Sequence, residues 1–320
     1  MSIKNFPLIV VTPVYEDNEA CSRLFKELVA EFGKKIFVVA VDDGSTKQPL
    51  QLSLLNQAGI HGVILKLRRN LGHQRAISVG LSFVAAKMSP VQQIVVMDSD
   101  GEDVPSSIHP LLKQLESEHV DLVVAQRKSR IETMKFKIFY QFYKLFFNLM
   151  TGKKISFGNF MALKFAAVKR LVVMQELSLH VAAAVLASKL RTVTCSLDRG
   201  PRYAGHSKMN FVGLVLHGFK GLMVFAEDVL VRVGVACVAI ASLALTGALV
   251  AIALKILGYS TPGWFSIALG ILILMFLQTG ALALMTLMLT GVIRGGALST
   301  GSSYFDFVET VLETHPVVVE

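Results

Sequence analysis

Two stretches near the C-terminal end limit what this chain can become. Val233 to Leu254 runs for 22 residues, and Trp264 to Ile293 for 30, without a charged side chain. About 20 predominantly apolar residues cross a bilayer as a helix, whereas the core helices of soluble proteins are shorter. The sequence therefore predicts transmembrane helices over 229–257 and 264–294. The turn Gly258-Tyr259-Ser260-Thr261-Pro262-Gly263 joins them. The second span is longer than a bilayer requires and is expected to tilt or to continue past the lipid. Gln278, near its middle, is expected to face its helical partner. Met1 to Pro7 is too short for a signal peptide and leads straight into a strand.

The chain has 320 residues, 53% of them hydrophobic, with 32 Lys and Arg against 23 Asp and Glu. All but three of the basic residues (Arg232, Lys255, Arg294) precede residue 229. That bias predicts a multi-pass protein of the inner, cytoplasmic membrane, with the large domain and both termini cytoplasmic. Cys21, Cys195 and Cys237 are scattered, without metal-type spacing, which fits a reducing compartment and no disulfides.

The region before the spans reads as one α/β domain. Strands are predicted at Leu8–Thr12, Ile36–Val41, Gly62–Leu67, Ile94–Met97 and Val120–Ala125. Helices are predicted at Asn18–Phe32 and Arg75–Lys87. Strands alternating with helices argue for a doubly wound, mostly parallel sheet. Directly after the buried-type run Ile94-Val95-Val96 comes Met97-Asp98-Ser99-Asp100-Gly101-Glu102-Asp103, with four carboxylates in six residues. Open α/β sheets bind ligands at the C-terminal ends of their strands. Clustered carboxylates there ask for a cation, and hard oxygen ligands suit Mg²⁺ or Mn²⁺. A solvated acidic loop is the plainer alternative.

Residues 127–154 hold eight basic side chains and one acid, interleaved with seven aromatics. Basic and aromatic residues together on a helix suit a membrane surface carrying anionic lipid. Nucleic-acid binding is the competing reading; the neighbouring spans favour lipid, so no nucleic-acid partner is expected. Residues 210–225 read as a second interfacial helix. The expected organisation is an α/β domain over 1–130 and 155–206, interfacial helices over 131–154 and 207–228, the two spans, and a cytoplasmic tail over 295–320. His73, His180, His206 and His217 have no metal-type neighbours and read as satisfied polar or surface histidines.

Six segments then fall in order, most of them at strand ends. They are Pro13-Val14-Tyr15-Glu16-Asp17, Asp42-Asp43-Gly44-Ser45-Thr46, Arg69 to Ala76, Asp98 to Pro105, Arg127-Lys128-Ser129-Arg130, and Arg202 to Lys208. This order resembles the family 2 glycosyltransferases with a GT-A, Rossmann-like fold. More narrowly it is similar to the membrane-anchored polyisoprenyl-phosphate glycosyltransferases, which include dolichol-phosphate mannose synthases and bacterial undecaprenyl-phosphate sugar transferases. The likeness covers roughly residues 7–293.

The resemblance implies inverting transfer of a sugar from a nucleotide-diphosphate sugar, UDP by default, to a polyisoprenyl phosphate. Pro13, Tyr15, Asp17, Asp42, Asp43, Gly72 and Arg75 would lie around the nucleotide sugar. Asp98 and Asp100 would form the D-x-D pair at the donor diphosphate, and Glu102 would complete a Mg²⁺ or Mn²⁺ site. Arg127 and Arg130 would meet the acceptor phosphate. Arg202, Ser207 and Lys208 would close over the diphosphate or the lipid phosphate. Related enzymes often associate through their membrane helices, so a homo-oligomer is expected.

Three positions depart from the family pattern. Asn159, in Phe157-Gly158-Asn159-Phe160, stands where bacterial members usually have Asp. An amide cannot act as a general base, which argues against a hydroxyl acceptor. A phosphate monoester is largely dianionic at pH 7 and needs no base. Met209 replaces an aromatic, and Gly295 to Ser303 replaces an Arg/Lys-rich ending. Two other functions remain open: transfer to another lipid acceptor, and a non-catalytic scaffold that binds nucleotide sugar. A polymerising synthase is disfavoured, because the single Trp is Trp264, inside a predicted span.

Overall fold

The computed structural model describes residues 6–87, 92–127, 134–203, 211–259, 261, 263–296 and 303–314. They form two compact units. One comprises residues 1–144, 153–224 and 301–320; the other comprises 145–152 and 225–300.

The first unit is built on an eight-stranded mixed sheet. In chain order its strands are β1 (Leu8–Val14), β2 (Ile36–Asp42), β3 (His61–Leu67), β4 (Gln93–Val96), β5 (Leu122–Arg127), β6 (Met161–Lys164), β7 (Thr192–Leu197) and β8 (Val308–Glu313). Their spatial order is β7-β5-β6-β4-β1-β2-β3-β8. Strands β4, β1, β2 and β3 are mutually parallel, and β5 pairs parallel with β7. Strands β6 and β8 run antiparallel to their neighbours. Every residue of β1 and β2 is buried, as expected for parallel strands covered on both faces.

Helices cover the two faces. Against one lie α1 (Asn18–Phe32), α2 (Leu52–Ala58) and α4 (Ile108–Leu115). Against the other lie α3 (His73–Lys87), α6 (Phe165–Val172) and α7 (Val181–Ala187). Helix α1 follows from its sequence. Cys21, Leu24, Phe25 and Leu28 recur at helical spacing and are buried, and Asp17 accepts from the Ala20 N–H as N-cap. Two further helices are α5 (Met134–Thr151) and α8 (Phe211–Met223).

The five predicted strands and the helices predicted over Asn18–Phe32 and Arg75–Lys87 all appear, with ends shifted by up to two residues. Part of the expected C-terminal tail packs on the sheet. Residues 303–314 form a short helix, α11 (Tyr304–Phe307), and then β8, which extends the sheet at its β3 edge. Arg68 N–H donates to the Phe307 carbonyl at 3.0 Å, and Gly62 N–H to Thr314 Oγ1 at 3.2 Å. The alternation in Val308-Glu309-Thr310-Val311-Leu312-Glu313 is weak, and its partner lies some 250 positions upstream.

The second unit is a pair of packed helices, α9 (Ala226–Ile256) and α10 (Trp264–Gly296). Both are long and apolar enough to cross a membrane. Most of their large apolar side chains face outward, Leu243 and Leu287 among them. Arg232 Nη1 donates to the Leu149 carbonyl at 3.0 Å, and Lys255 Nζ sits 4.0 Å from the Phe265 ring centre.

Candidate active site

Strand β4 ends at Val96, and the Met97 N–H still bonds the Val11 carbonyl of β1. The chain then turns away from the sheet, and its own carboxylates shape the turn. Asp103 Oδ2 accepts from the Asp98 N–H at 2.9 Å, and Asp100 Oδ1 from the Glu102 N–H at 3.0 Å. Ser99 Oγ donates to the Pro13 carbonyl at 3.1 Å, tying the acidic loop to the end of β1. Asp103 is thus a buried loop-former, while Asp98, Asp100 and Glu102 remain to face partners.

Those partners come from two sides. On one side the segment after β7 lies along the loop: Gly200 N–H bonds the Glu102 carbonyl and Tyr203 N–H the Asp100 carbonyl. Arg202 Nη2 is 2.8 Å from Asp100 Oδ2 and 3.4 Å from Glu102 Oε1. Arg199 pairs with the other oxygen of Glu102. Gly101 allows this approach. Its φ is +89°, and a Cβ there would stand 2.6 Å from the Tyr203 ring. On the other side His73 Nε2 lies 3.1 Å from Asp98 Oδ1 and 2.9 Å from Asn159 Nδ2. Asn159 Oδ1 accepts from Gln74 Nε2 at 3.3 Å, and Gln74 Oε1 accepts from the Val181 N–H at 2.6 Å. A cleft beside Asp98 is lined by Gln126, Gly158, Asn159, Phe160 and Arg199.

The electrostatics follow from this packing. Burial, reinforced by the Asp98 charge, holds Asp100 above the usual carboxylate range, against the pull of Arg202. Burial works against protonation of His73, but the Asp98 carboxylate, with Asp100 and Asp43 behind it, reverses this and raises it.

At the end of β2, Asp42 and Asp43 organise loops. Asp42 accepts from the Ser45 and Leu50 N–H groups at 3.0 and 2.8 Å. Asp43 accepts from those of Leu71 and Gly72 at 2.7 and 3.0 Å, with Gly72 at φ +88°. Burial raises Asp43, and these two N–H groups oppose it. Glu16 closes the same region. It accepts from the Thr46, Lys47 and Gln48 N–H groups, led by Lys47, and these hold its carboxyl at about 2. Tyr15 is exposed just beyond β1, and Arg75 is exposed in the first turn of α3.

The structure therefore gathers Pro13, Asp98, Asp100, Glu102, Asn159 and Arg202 around one strand end. Asp42 and Asp43 lie at the end of β2, one strand further along the sheet past β1, and Asp17 sits at the start of α1. Arg127 ends β5, and its side chain lies outside the described atoms. Arg130, Ser207 and Lys208 lie outside the described residues. Three partners were given no role from the sequence: Arg199, His73 and Gln74. Asp198-Arg199-Gly200-Pro201-Arg202, two arginines flanking Gly-Pro, is the signal that could have marked the first. His73 and Gln74 became visible only when α3 was placed against Asn159.

The D-x-D pair fits a hard divalent cation by its donor set: two partly buried carboxylates, one of which raises the other's affinity for positive charge. Among the described residues no three His, Cys, Asp or Glu side chains form a closed metal cage. Glu102, expected as a third ligand, pairs with Arg199 and Arg202.

Residues 9–172, just over half of the chain, match the model of glycosyl transferase family 2. The chain belongs to that family. It is a family 2 glycosyltransferase with a GT-A fold and two C-terminal apolar helices. It is 27% identical to an uncharacterized glycosyltransferase of Synechocystis sp. over 278 residues, covering 83% of this chain and 85% of the relative. It is 24% identical over 213 residues to the undecaprenyl-phosphate 4-deoxy-4-formamido-L-arabinose transferase of Edwardsiella ictaluri, covering 64% of each chain. The Enterobacter sp. protein of the same name is 34% identical over 131 residues, which cover 39% of this chain and 38% of that one. The chain thus spans less than two thirds of these two transferases. Among solved structures, glucosyl-3-phosphoglycerate synthase of Mycobacterium tuberculosis aligns at a TM-score of 0.48 and 14% identity, over 71% of this chain and 79% of that one.

Proposed function

We propose that this glycosyltransferase moves a sugar from a nucleotide-diphosphate sugar, UDP-linked by default, to a polyisoprenyl phosphate at the cytoplasmic face of the membrane, with inversion. The observation that carries the reading is the D-x-D pair at the end of β4, ringed by Arg202, His73 and Asn159, in a chain with two membrane-length helices. The printed names of the Edwardsiella and Enterobacter relatives, both undecaprenyl-phosphate sugar transferases, support the acceptor class.

In the proposed reaction a phosphate oxygen of the acceptor forms a bond to the anomeric carbon. The bond from that carbon to the nucleoside diphosphate breaks, and its electron pair leaves with the diphosphate. A single in-line displacement inverts the α-linked donor. Asp98 and Asp100 would hold a Mg²⁺ or Mn²⁺ ion, which neutralises charge on the departing diphosphate. Arg202 and Arg199, already at the carboxylates, stand where a diphosphate would meet them and can hold its oxygens bidentately. Asn159 cannot take a proton, and a dianionic phosphate has none that must be removed. Its amide accepts from Gln74 and lies 2.9 Å from His73 Nε2.

The test is a donor panel. Full-length protein in detergent, with Mg²⁺ or Mn²⁺, is incubated with undecaprenyl phosphate and UDP-, GDP- or dTDP-sugars, and lipids are read by mass spectrometry. One glycosyl residue added to the lipid phosphate, and lost in Asp100→Ala, is the expected result. Nucleotide binding without any lipid product would turn the reading towards a scaffold.

A further inference from the structure

Gln278 is a polar side chain deep in an apolar helix. It stands midway along the uncharged run Trp264 to Ile293. At about 1.5 Å per residue it lies roughly 20 Å from either end, so its amide cannot reach a membrane surface. Other polar groups in α9 and α10 are settled within their own helix. The hydroxyls of Ser242, Thr246, Thr279 and Thr286 each donate to a carbonyl three or four residues earlier, at 2.7–2.9 Å. Gln278, expected to face α9, is instead exposed, and among the described residues no hydrogen bond reaches its amide. An amide left in hydrocarbon without a partner is costly.

The surroundings of Gln278 say what could cover it. Helix α9 packs on another face of α10: a Cβ on Gly247 would stand 3.2 Å from Leu272 Cδ2, and one on Gly234 3.2 Å from Thr286 Oγ1. Ala281 follows Leu272 by nine residues, about two and a half turns, and so lies on the opposite side. On that side Ile271, Leu274, Gln278, Ala281, Met285 and Met288 follow one another at spacings of three and four. This is the repeat of a left-handed helix pair, and Gln278 is its one polar member. All six are exposed, Ile271, Leu274, Met285 and Met288 by between 55% and 75%. The apolar members alone would sit equally well against lipid tails. The amide would not. It carries a donor and an acceptor, so its best complement at that depth is a second amide. Two copies of one chain insert in the same direction, and a two-fold axis along the seam brings each residue opposite its own counterpart.

We propose that two copies of this chain associate through α10, with Gln278 Nε2 of each donating to the amide oxygen of Gln278 of the partner subunit. A single polar residue in such a seam fixes register and oligomeric state. Ala281, one turn further on, lets the two backbones approach there. The inference requires α10 to lie in a bilayer and is independent of which sugar or acceptor the protein uses.

The test uses full-length protein in phospholipid vesicles, with energy transfer between labelled copies read as the lipid-to-protein ratio is raised. Gln278→Leu keeps the helix apolar and removes the amide; Gln278→Asn keeps it. Self-association of wild type is expected, weaker by about tenfold or more in Gln278→Leu and within a fewfold of wild type in Gln278→Asn. Single cysteines then map the seam by oxidative cross-linking, with the unsubstituted chain as the blank, since Cys21, Cys195 and Cys237 are buried. Leu274→Cys and Ala281→Cys should give dimers. Phe276→Cys and Leu287→Cys, exposed on α10 away from the seam, should not. A wild-type protein that stays monomeric at every dilution overturns the proposal, as does wild-type association in Gln278→Leu. Cross-links that ignore the seam overturn it too, and keep the test valid should Gln278→Leu fail to fold. Cross-links from Leu274→Cys and Ala281→Cys to a different protein in native membranes, without dimers of the purified chain, also overturn it and give the seam another occupant. Sugar transfer enters none of these readouts, so failure of the proposed reaction leaves the result standing.

Discussion

At the residue scale the acidic loop concentrates the consequences. Asp100 is the D-x-D carboxylate held by Arg202, and replacing it by Ala removes charge stabilisation aimed at the leaving group. A drop of about a hundredfold or more in transfer rate is expected, comparable to losing one preorganised electrostatic contact, with an unchanged melting temperature as the control. Asn159→Asp separates two acceptor chemistries. If the acceptor is a phosphate, the added carboxylate beside Asp98 brings no gain, so the rate should stay at or below wild type. A rise of tenfold or more would mean that a base is needed and that the acceptor is a hydroxyl. Gly101→Ala forces a Cβ to 2.6 Å from the Tyr203 ring at φ +89°. A cost of about 1–3 kcal/mol is expected, and adding Tyr203→Ala should recover part of it. Strict additivity in that double-mutant cycle would show that the two residues do not clash.

At the element scale, helix α7 and the C-terminal strand carry the tests. His180 is 5% exposed, and burial, followed by the neighbouring His217, lowers its pKa to about 3. The unfolded imidazole titrates near 6.5. A folded-state pKa below the unfolded one gives stability that is complete above about pH 6.5 and declines as pH falls towards 3. Melting temperatures between pH 5 and 8 should therefore drop on the acid side, and His180→Asn, which can still cap α7, should flatten that slope. An unchanged slope would place the titration elsewhere. Deleting residues 303–320 strips β8 from the β3 edge and exposes unpaired backbone. Size-exclusion chromatography should then show aggregation, and a monodisperse product would make β8 dispensable. These elements also show what the sequence could reveal. Buried runs such as Leu8–Val14 and the capped, periodic Asn18–Phe32 announce themselves locally. The acidic loop was legible because four carboxylates follow an apolar strand. Strand β8, the Arg199 and Arg202 contacts and the Gln74–Asn159 bond join distant segments, and local pattern carries no trace of which partner will arrive.

At the scale of the whole molecule, two features must work together: an α/β catalytic unit and a pair of apolar helices long enough to cross a bilayer. The charge bias of the first 228 residues predicts a cytoplasmic α/β unit, as the proposed function requires. Thr261→Cys, in the short connection between α9 and α10, should then react with an impermeant maleimide from outside intact cells. Cys21, Cys195 and Cys237 are buried and should stay silent. Labelling only after lysis would reverse the topology. The measurement that bears most directly on the central claim is the structure of the lipid product. Wild-type protein, undecaprenyl phosphate and the donor selected from the panel should give a lipid whose phosphate carries one sugar, with the β-configuration seen by NMR from an α-linked donor. A sugar attached anywhere but the phosphate, or no glycosylated lipid with any donor, would contradict it.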